Sequence, residues 1–202
     1  MTAGPALRCG AVVSLGSIAR IVTGAMPRYR GGARQAYRYL ASRDADHFLP
    51  PANSLDLVEV GADTALPHAL EPGDIVVATR SGRVRAAVAA EDHAGVLLGA
   101  ALIAIVPQDR ALAHGLAAYL RREATSEALL RRTAGTAHPN VGVKDLSNLD
   151  VRLPEPRLRD AFEELAALAT EIDRLSRAAN ALRLKEIEAI SARLFEVGDE
   201  GA

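Results

Sequence analysis

The feature that most constrains this chain is a heptad repeat near its C-terminal end. Apolar residues recur there at alternating spacings of three and four, which is the seam pattern of a coiled coil. The seam comprises Leu158, Ala161, Leu165, Leu168, Ile172, Leu175, Ala179 and Leu182. After Leu182 the phase slips by one residue, and the pattern resumes at Ile187, Ile190, Leu194 and Val197. No Gly or Pro interrupts this segment, so it predicts one helix of about 40 residues, roughly 60 Å long.

A helix of this length with one apolar stripe needs a surface to cover the stripe. A second copy of the chain or a different protein would provide it, whereas folding back onto its own domain is awkward for so long a helix. The predicted interface residues are Leu158, Leu165, Leu168, Ile172, Leu175, Ala179, Leu182, Ile187, Ile190 and Leu194.

Upstream of this helix, short strands alternate with loops. A turn at Pro72-Gly73-Asp74 and the β-branched run after it predict a hairpin formed by residues 75–77 and 84–90. Residues 11–22 predict a strand running into a turn of helix, and residues 111–132 a helix or a pair of helices. Further strands are predicted at 35–41, 55–60, 96–106 and 146–153. The predicted fold class is α+β: a mixed, β-rich domain over residues 1–156, followed by one long coiled-coil-forming helix within 157–202.

The charges are unevenly distributed along the chain. The net charge of -1 argues at first sight against a nucleic-acid partner. However, residues 1–50 hold seven arginines and two aspartates, a local net charge of +5, whereas residues 151–202 have a net charge of -3. The basic end is therefore suited to phosphates, and the acidic end to another role.

The sequence shows no catalytic, cofactor or metal motif that holds together. Phosphate loops, dinucleotide-binding glycine turns and nucleophile elbows are absent. The five histidines have no paired spacing, and the single cysteine, Cys9, excludes a cysteine-rich zinc site. We therefore expect a binding protein without catalytic residues, cofactor or metal. One cysteine and the lack of a run of about 20 apolar residues predict a cytoplasmic protein with no membrane partner.

Four segments resemble the specificity subunits of type I restriction-modification systems. The opening, Val13 to Gly24, looks like the start of a target recognition domain of that family, and Leu70 to Gly82 is similar to its "L-x-PGDIL…R-x-G" hairpin. The segment from Gly135 to Pro154 looks like "G…N-[IV]…L…[IV]-x-[IL]-P", and the heptad helix resembles the spacer that follows each recognition domain. The family's chains hold two recognition domains and two helices, so this chain resembles a half-subunit.

The resemblance implies a function in DNA recognition. It implies binding to double-stranded DNA, recruitment of a DNA adenine methyltransferase subunit, and association with a restriction/translocase subunit in systems that have one. As a homodimer, two antiparallel helices of roughly 60 Å would hold two domains about 10 to 20 base pairs apart. The two-fold symmetry of such a dimer predicts an interrupted palindrome as the target.

Arginine-bearing loops are the candidate base-reading elements, because a loop can enter a groove that a sheet cannot. Three patches are predicted. The first holds Arg28, Arg30 and Arg34, the second Arg80, Ser81, Arg83 and Arg85, and the third His138, Asn140 and Lys144. Most side chains in such patches contact phosphate or solvent rather than a base edge.

Two other functions stay open at this point. The chain is alternatively a DNA-recognition module of another phage-defence complex, or an interaction (scaffold) protein whose helix matters and whose DNA surface is vestigial. The third hypothesis is that the chain is an unrecognised nuclease, which metal-dependent cleavage of DNA by the purified chain would reveal.

Overall fold

The computed structural model describes residues 10–26, 34–61, 69–78, 83–132 and 141–196, excepting the side chains of 132 and 194–196. Within these ranges the strands are β1 Val12–Ser14, β2 Ala19–Thr23, β3 Arg34–Leu40, β4 Asp56–Gly61, β5 Ile75–Ala78, β6 Arg85–Val88, β7 Leu97–Leu98, β8 Leu102–Pro107 and β9 Asp150–Arg152. The helices are α1 Leu15–Ile18, α2 Ala113–Arg121, α3 Glu123–Arg132, α4 Val143–Ser147 and α5 Pro156–Glu196.

The main sheet has the order β2-β8-β5-β6, and all its strands pair antiparallel. Alternate residues of a strand point to opposite faces, and here both faces are covered. Ile75 and Val77 of β5 pack into a core that includes α2, while Val76 and Ala78 pack into a second core built on residues 40–55. The continuous apolar run in β5 follows from this double coverage.

Two smaller sheets complete the domain. In the first, β3 pairs antiparallel with β4 and parallel with β7. In the second, β1 pairs with β9 near the base of α5, and the backbone N–H of Leu15 donates to the carbonyl of Leu149 at 2.8 Å. The beginning of the described chain is thus tied to the segment that leads into the long helix.

The α+β class with a long C-terminal helix is confirmed. Residues 35–41, 55–60 and the hairpin at 75–77 and 84–90 form strands as predicted, within one to two residues. The segment 111–132 forms a pair of helices. The turn predicted at Pro72-Gly73-Asp74 is present, and Gly73 has a φ of 84° in it.

Two predicted strands were wrong. Residues 96–106 do not form one strand, because the chain turns at Gly99 and leaves the β3-β7 sheet to enter the main sheet as β8. A Cβ on Gly99 would lie 2.6 Å from the carbonyl oxygen of Leu40, so only glycine fits this crossing. Residues 146–153 were predicted as a strand, yet Leu146 belongs to α4 and only Asp150–Arg152 is extended.

Candidate nucleic-acid and subunit interfaces

The β5-β6 hairpin carries the described part of the second arginine patch. Residues Arg80 and Ser81 lie outside the described residues. Arg83 is exposed just before β6, and Arg85 is the first residue of that strand. Val84 lies between these two arginines, and its backbone N–H donates to the buried hydroxyl of Ser126 at 2.9 Å. This hydrogen bond holds the start of β6 on α3.

Arg83 and Arg85 line a polar cavity of about 670 Å³ between the hairpin, α2, α3 and α5. Its charged lining comprises Arg83, Arg85, Arg121 and Arg177, with Asp46, Glu123 and Glu127. Arg85 lies 3.8 Å and Arg177 3.4 Å from carboxylate oxygens of Asp46. The four arginines are thus nearly balanced by three carboxylates, so the described cavity is not itself a strongly cationic pocket.

Arg121 connects α2 to three other parts of the chain through hydrogen bonds. Its guanidinium donates to the backbone carbonyls of His47 at 3.2 Å and Ala86 at 3.0 Å, and to the Thr170 hydroxyl at 3.2 Å. Burial lowers the pKa of Arg121, and Asp173 opposes that shift. Arg121 was not predicted as a functional residue, because nothing local distinguishes it from the neighbouring arginines at 122, 131 and 132.

His47, whose backbone carbonyl accepts one of these hydrogen bonds, also has a shifted pKa. Burial lowers the pKa of His47, Arg121 and Arg177 lower it further, and Asp46 and Asp173 raise it. Its Nδ1 atom is buried and has no hydrogen-bond partner among the described residues. A neutral imidazole therefore suits this position.

The other two patches are only partly described. Arg28 and Arg30 of the first patch lie outside the described residues, whereas Arg34 begins β3 and pairs with Glu59 on β4 at 3.3 Å. In the third patch, His138 and Asn140 lie outside the described residues, and Lys144 is exposed on α4. Ion pairs as exposed as Arg34–Glu59 are weak, so a DNA phosphate would compete for the guanidinium.

The long helix docks on the domain, but not through its leucine seam. The docking face comprises Glu163, Ala166, Thr170 and Arg177. At 100° per residue this face lies on roughly the opposite side of α5 from the seam. Ala166 is buried, and the Arg177 guanidinium stacks 5.6 Å from the centre of the Phe48 ring. The helix therefore packs back on its own domain while the seam stays uncovered.

Glu163 fixes the near end of this contact. Its two carboxylate oxygens accept hydrogen bonds from the backbone N–H groups of His114 at 2.6 Å and Gly115 at 2.7 Å. These amides belong to the first turn of α2, whose N–H groups have no partner within the helix. A Cβ on Gly115 would lie 2.8 Å from the Phe162 ring, so the two helices approach closely here. The sequence gives no sign of this cap, since Glu163 reads as an ordinary surface residue.

The predicted interface is exposed along most of its length. Leu165 is 65% exposed, Ile172 64% and Leu182 64%. The further exposed members are Leu168, Leu175, Ala179, Ile187 and Ile190. Leu158 is half-buried at the base of the helix, and the side chain of Leu194 lies outside the described residues. The described domain thus leaves the seam open to a partner.

An apolar groove of about 700 Å³ lies beside the base of α5. We call it the base groove. Its walls include Leu116 and Tyr119 of α2, Leu153 before the helix, and Leu158, Phe162 and Leu165 of α5. It is continuous with the seam, because Leu158 and Leu165 belong to both.

Among the described residues, no group of three or more His, Cys, Asp or Glu is placed to hold a metal ion. No described helix is both long and apolar enough to cross a membrane.

Comparison with known proteins places this fold. No family model matches the sequence, and no curated protein matches it significantly. A solved chain from a study of complex assembly and conformational transition of a type I restriction-modification system matches 93% of this chain, with a TM-score of 0.54 and 19% identity. The specificity (S) subunit of a type I restriction-modification system from M. genitalium matches 98% of this chain, with a TM-score of 0.55 and 16% identity.

The chain has the fold of a type I specificity subunit. It spans about half the length of the two solved chains, covering 45% of the first and 49% of the M. genitalium S subunit. The likeness extends over both the β-rich part and the long helix, since almost the whole of this chain is matched.

Proposed function

We propose that this chain is a DNA-specificity protein of a type I restriction-modification system or a related phage-defence system. The domain at residues 1–156 binds a specific DNA half-site, and the helix within 157–202 pairs with that of a second copy. The pair recruits a DNA adenine methyltransferase subunit, and a restriction/translocase subunit in systems that have one. The chain itself catalyses no reaction.

The observation that carries this proposal is the fold. Two solved chains of type I systems, one of them an S subunit, match more than nine tenths of this chain. Because this chain covers less than half of each, two copies have about the length of one such subunit. Pairing of two copies would therefore supply the second recognition domain and the second helix.

The exposed seam supports pairing. Seven of its residues, each more than half exposed, would lie in water in an isolated chain: Leu165, Leu168, Ile172, Leu175, Leu182, Ile187 and Ile190. Covering such a stripe is favourable at roughly 25 cal/mol per Å² of apolar surface. An isologous pair of antiparallel helices covers both copies at once and places one domain toward each end, which fits an interrupted palindrome.

The three arginine-rich or polar patches are the proposed DNA contacts. They comprise Arg28, Arg30, Arg34, Arg80, Ser81, Arg83, Arg85, His138, Asn140 and Lys144. Arg83 and Arg85 are the best supported of these, since the hairpin that carries them is anchored on α3 and their side chains reach the surface.

A binding assay with the DNA adenine methyltransferase subunit of the same system tests the proposal. We expect weak DNA binding by the chain alone, and sequence-selective, salt-dependent binding by the mixture. A mixture without sequence preference would contradict DNA specificity and favour a scaffold role. Cleavage of DNA by the purified chain in the presence of a divalent metal would contradict the non-catalytic assignment.

A further inference from the structure

The base groove exposes apolar surface that the domain does not cover. Phe162 is 43% exposed and Leu165 65% exposed at its edge. Tyr119 and Leu153 form the opposite wall. A contiguous apolar groove of this kind is typical of a binding surface.

The groove lies on one flank of the seam. Phe162 follows the seam residue Ala161 by one position, and Arg159 follows Leu158 by one position. One position is a rotation of 100° about the helix axis. The groove therefore lies on the side of the seam where Arg159 and Phe162 stand.

The phase slip moves the far end of the apolar stripe onto the same flank. An unbroken three-four repeat after Leu182 would continue at 186 and 189, where Glu186 and Ala189 stand. The apolar side chains instead come one position later, at Ile187 and Ile190, which are 59% and 58% exposed. Relative to the preceding turns, these side chains point to the flank that carries the groove at the base.

A two-fold axis brings this far end to the groove. In an antiparallel pair related by such an axis, corresponding flanks of the two helices face the same side of the pair. The far end of one helix then lies beside the base of the other. The shifted isoleucines of a second copy therefore lie next to the base groove of the first.

Charges on the opposite flank of the seam define one register. Glu164 precedes the seam residue Leu165 by one position. Lys185 precedes position 186, where an unbroken repeat would continue, also by one position. Both side chains are exposed. When Ile172 of one copy packs against Leu175 of the other, Glu164 lies beside Lys185 of the second copy, and the symmetry repeats the pair. In this register Ile187 and Ile190 of the second copy come opposite residues 160 and 157, in the first two turns of α5.

We propose that the base groove is the docking site for Ile187 and Ile190 of a second copy, in an antiparallel pair whose register is set by Glu164 and Lys185. This inference rests on the self-pairing in the proposed function and adds its geometry. The groove fixes the outer ends of the pair, so the distance between the two domains is set by contact at both ends and not only by the central seam.

A photo-cross-linking experiment on the full chain tests the docking site. Phe162 is replaced by p-benzoylphenylalanine, which keeps an aromatic ring at the groove edge, and this chain is mixed with a heavy-isotope-labelled copy. We expect cross-links between position 162 of one copy and the tryptic peptide 186–193 of the other. Cross-links from position 162 to residues 160–174 of the other copy would indicate parallel pairing and overturn the proposal.

Charge exchange tests the register independently. Glu164→Lys and Lys185→Glu should each weaken dimerisation by about fivefold to tenfold, because each disrupts two equivalent ion pairs. The double variant should return to within about twofold of the parent, since the pairs re-form with reversed sign. Double-variant dimers as weak as those of the single variants would exclude this register. Glu188→Lys, on the outer face of the helix, is the matched control and should leave dimerisation unchanged.

Ile190→Gln tests the contribution of the groove to affinity. We expect the dimer dissociation constant to rise by at least about tenfold in sedimentation, because two symmetric apolar contacts are lost. Glu188→Gln is the control. A dimer that forms normally but tolerates Ile190→Gln and gives no 162-to-186–193 cross-link overturns the docking site and leaves the proposed function intact. A parent chain that stays monomeric overturns both.

Discussion

At the scale of single residues, Glu163 joins two helices that are separated by many residues in the sequence. Its carboxylate accepts from two backbone N–H groups at the start of α2, which are groups that the helix itself cannot satisfy. A carboxylate is also favoured there by the helix dipole. The same contact caps α2 and holds the base of α5 on the domain.

Replacing Glu163 by Gln should destabilise the domain. The amide keeps one acceptor but turns an NH2 group toward the second backbone donor, so one hydrogen bond is lost. We expect the free energy of unfolding to fall by about 1–2 kcal/mol, measured by urea denaturation. The exposed substitution Glu188→Gln should change it by less than about 0.5 kcal/mol. An equal effect of the two substitutions would mean that the cap contributes nothing.

The lowered pKa of His47 predicts that stability near the contact between α5 and the domain depends on pH. Burial first, and then Arg121 and Arg177, lower the pKa of His47 against the opposing effect of Asp46 and Asp173. A histidine with a lowered folded-state pKa binds its proton more weakly in the folded chain than in the unfolded chain. Its contribution to stability is therefore complete above the unfolded value of 6.5 and is lost as the pH falls through the folded-state pKa.

The His47 ring should titrate below pH 6.5 in an NMR titration of the folded chain. Acidification should also destabilise the parent chain more than the His47→Gln variant, because all other titrating groups are shared. A ring that titrates above 6.5 would show that Asp46 outweighs burial at this site.

At the scale of secondary-structure elements, local patterns predicted what depends on local chemistry. The hairpin β5-β6 follows from its turn residues and β-branched run, and α5 follows from an uninterrupted heptad repeat. The break at Gly99 was not predictable, since it depends on the carbonyl of Leu40 lying against the chain. The end of α4, from Leu146, was included in a predicted strand because Leu149, Val151 and Leu153 alternate after it as they would in a strand.

Of the two faces of α5, the seam could be predicted from the sequence and the docking face could not. The seam was visible because leucine and isoleucine repeat at heptad spacing. The docking face was not, since Glu163, Thr170 and Arg177 are residues that commonly occupy a solvated helix face. Only the packing of α2 and residues 41–49 against them gives these side chains their structural role.

The central seam should control association without controlling the fold. Ile172→Gln combined with Leu175→Gln replaces side chains that are 64% and 52% exposed in the single chain. We expect dimerisation to be lost in sedimentation equilibrium, while the circular dichroism spectrum and the urea midpoint of the dilute monomer stay unchanged. An unfolded double variant would instead place the seam against the chain's own domain.

At the scale of the whole molecule, the domain and helix have separate proposed tasks. The domain presents Arg83 and Arg85 at the surface near the hairpin, and the helix presents its seam on the side away from the domain. The sequence predicted the seam as a surface, but the cavity that surrounds the two arginines required the fold, since its members come from residues far apart in the chain. Which side chains contact bases stays a prediction.

Replacing Arg83 and Arg85 by Ala should weaken DNA binding by the pair formed with the methyltransferase. If both contact phosphates, the slope of log affinity against log salt should become shallower by about one unit for each arginine in each domain. Fluorescence anisotropy over a salt series measures this slope. Arg174→Ala, on a helix face outside the cavity and paired with Glu171, is the control. An unchanged slope would remove these arginines from the DNA interface.

The most direct test of the proposed function is a map of adenine methylation in DNA from cells that express the DNA adenine methyltransferase subunit of the same system with and without this chain. We expect methylation at one interrupted palindrome with two identical half-sites, present only when this chain is expressed and lost in the Ile172→Gln, Leu175→Gln variant. Methylation that does not depend on the chain, or a target without two-fold symmetry, would contradict a paired DNA-specificity protein.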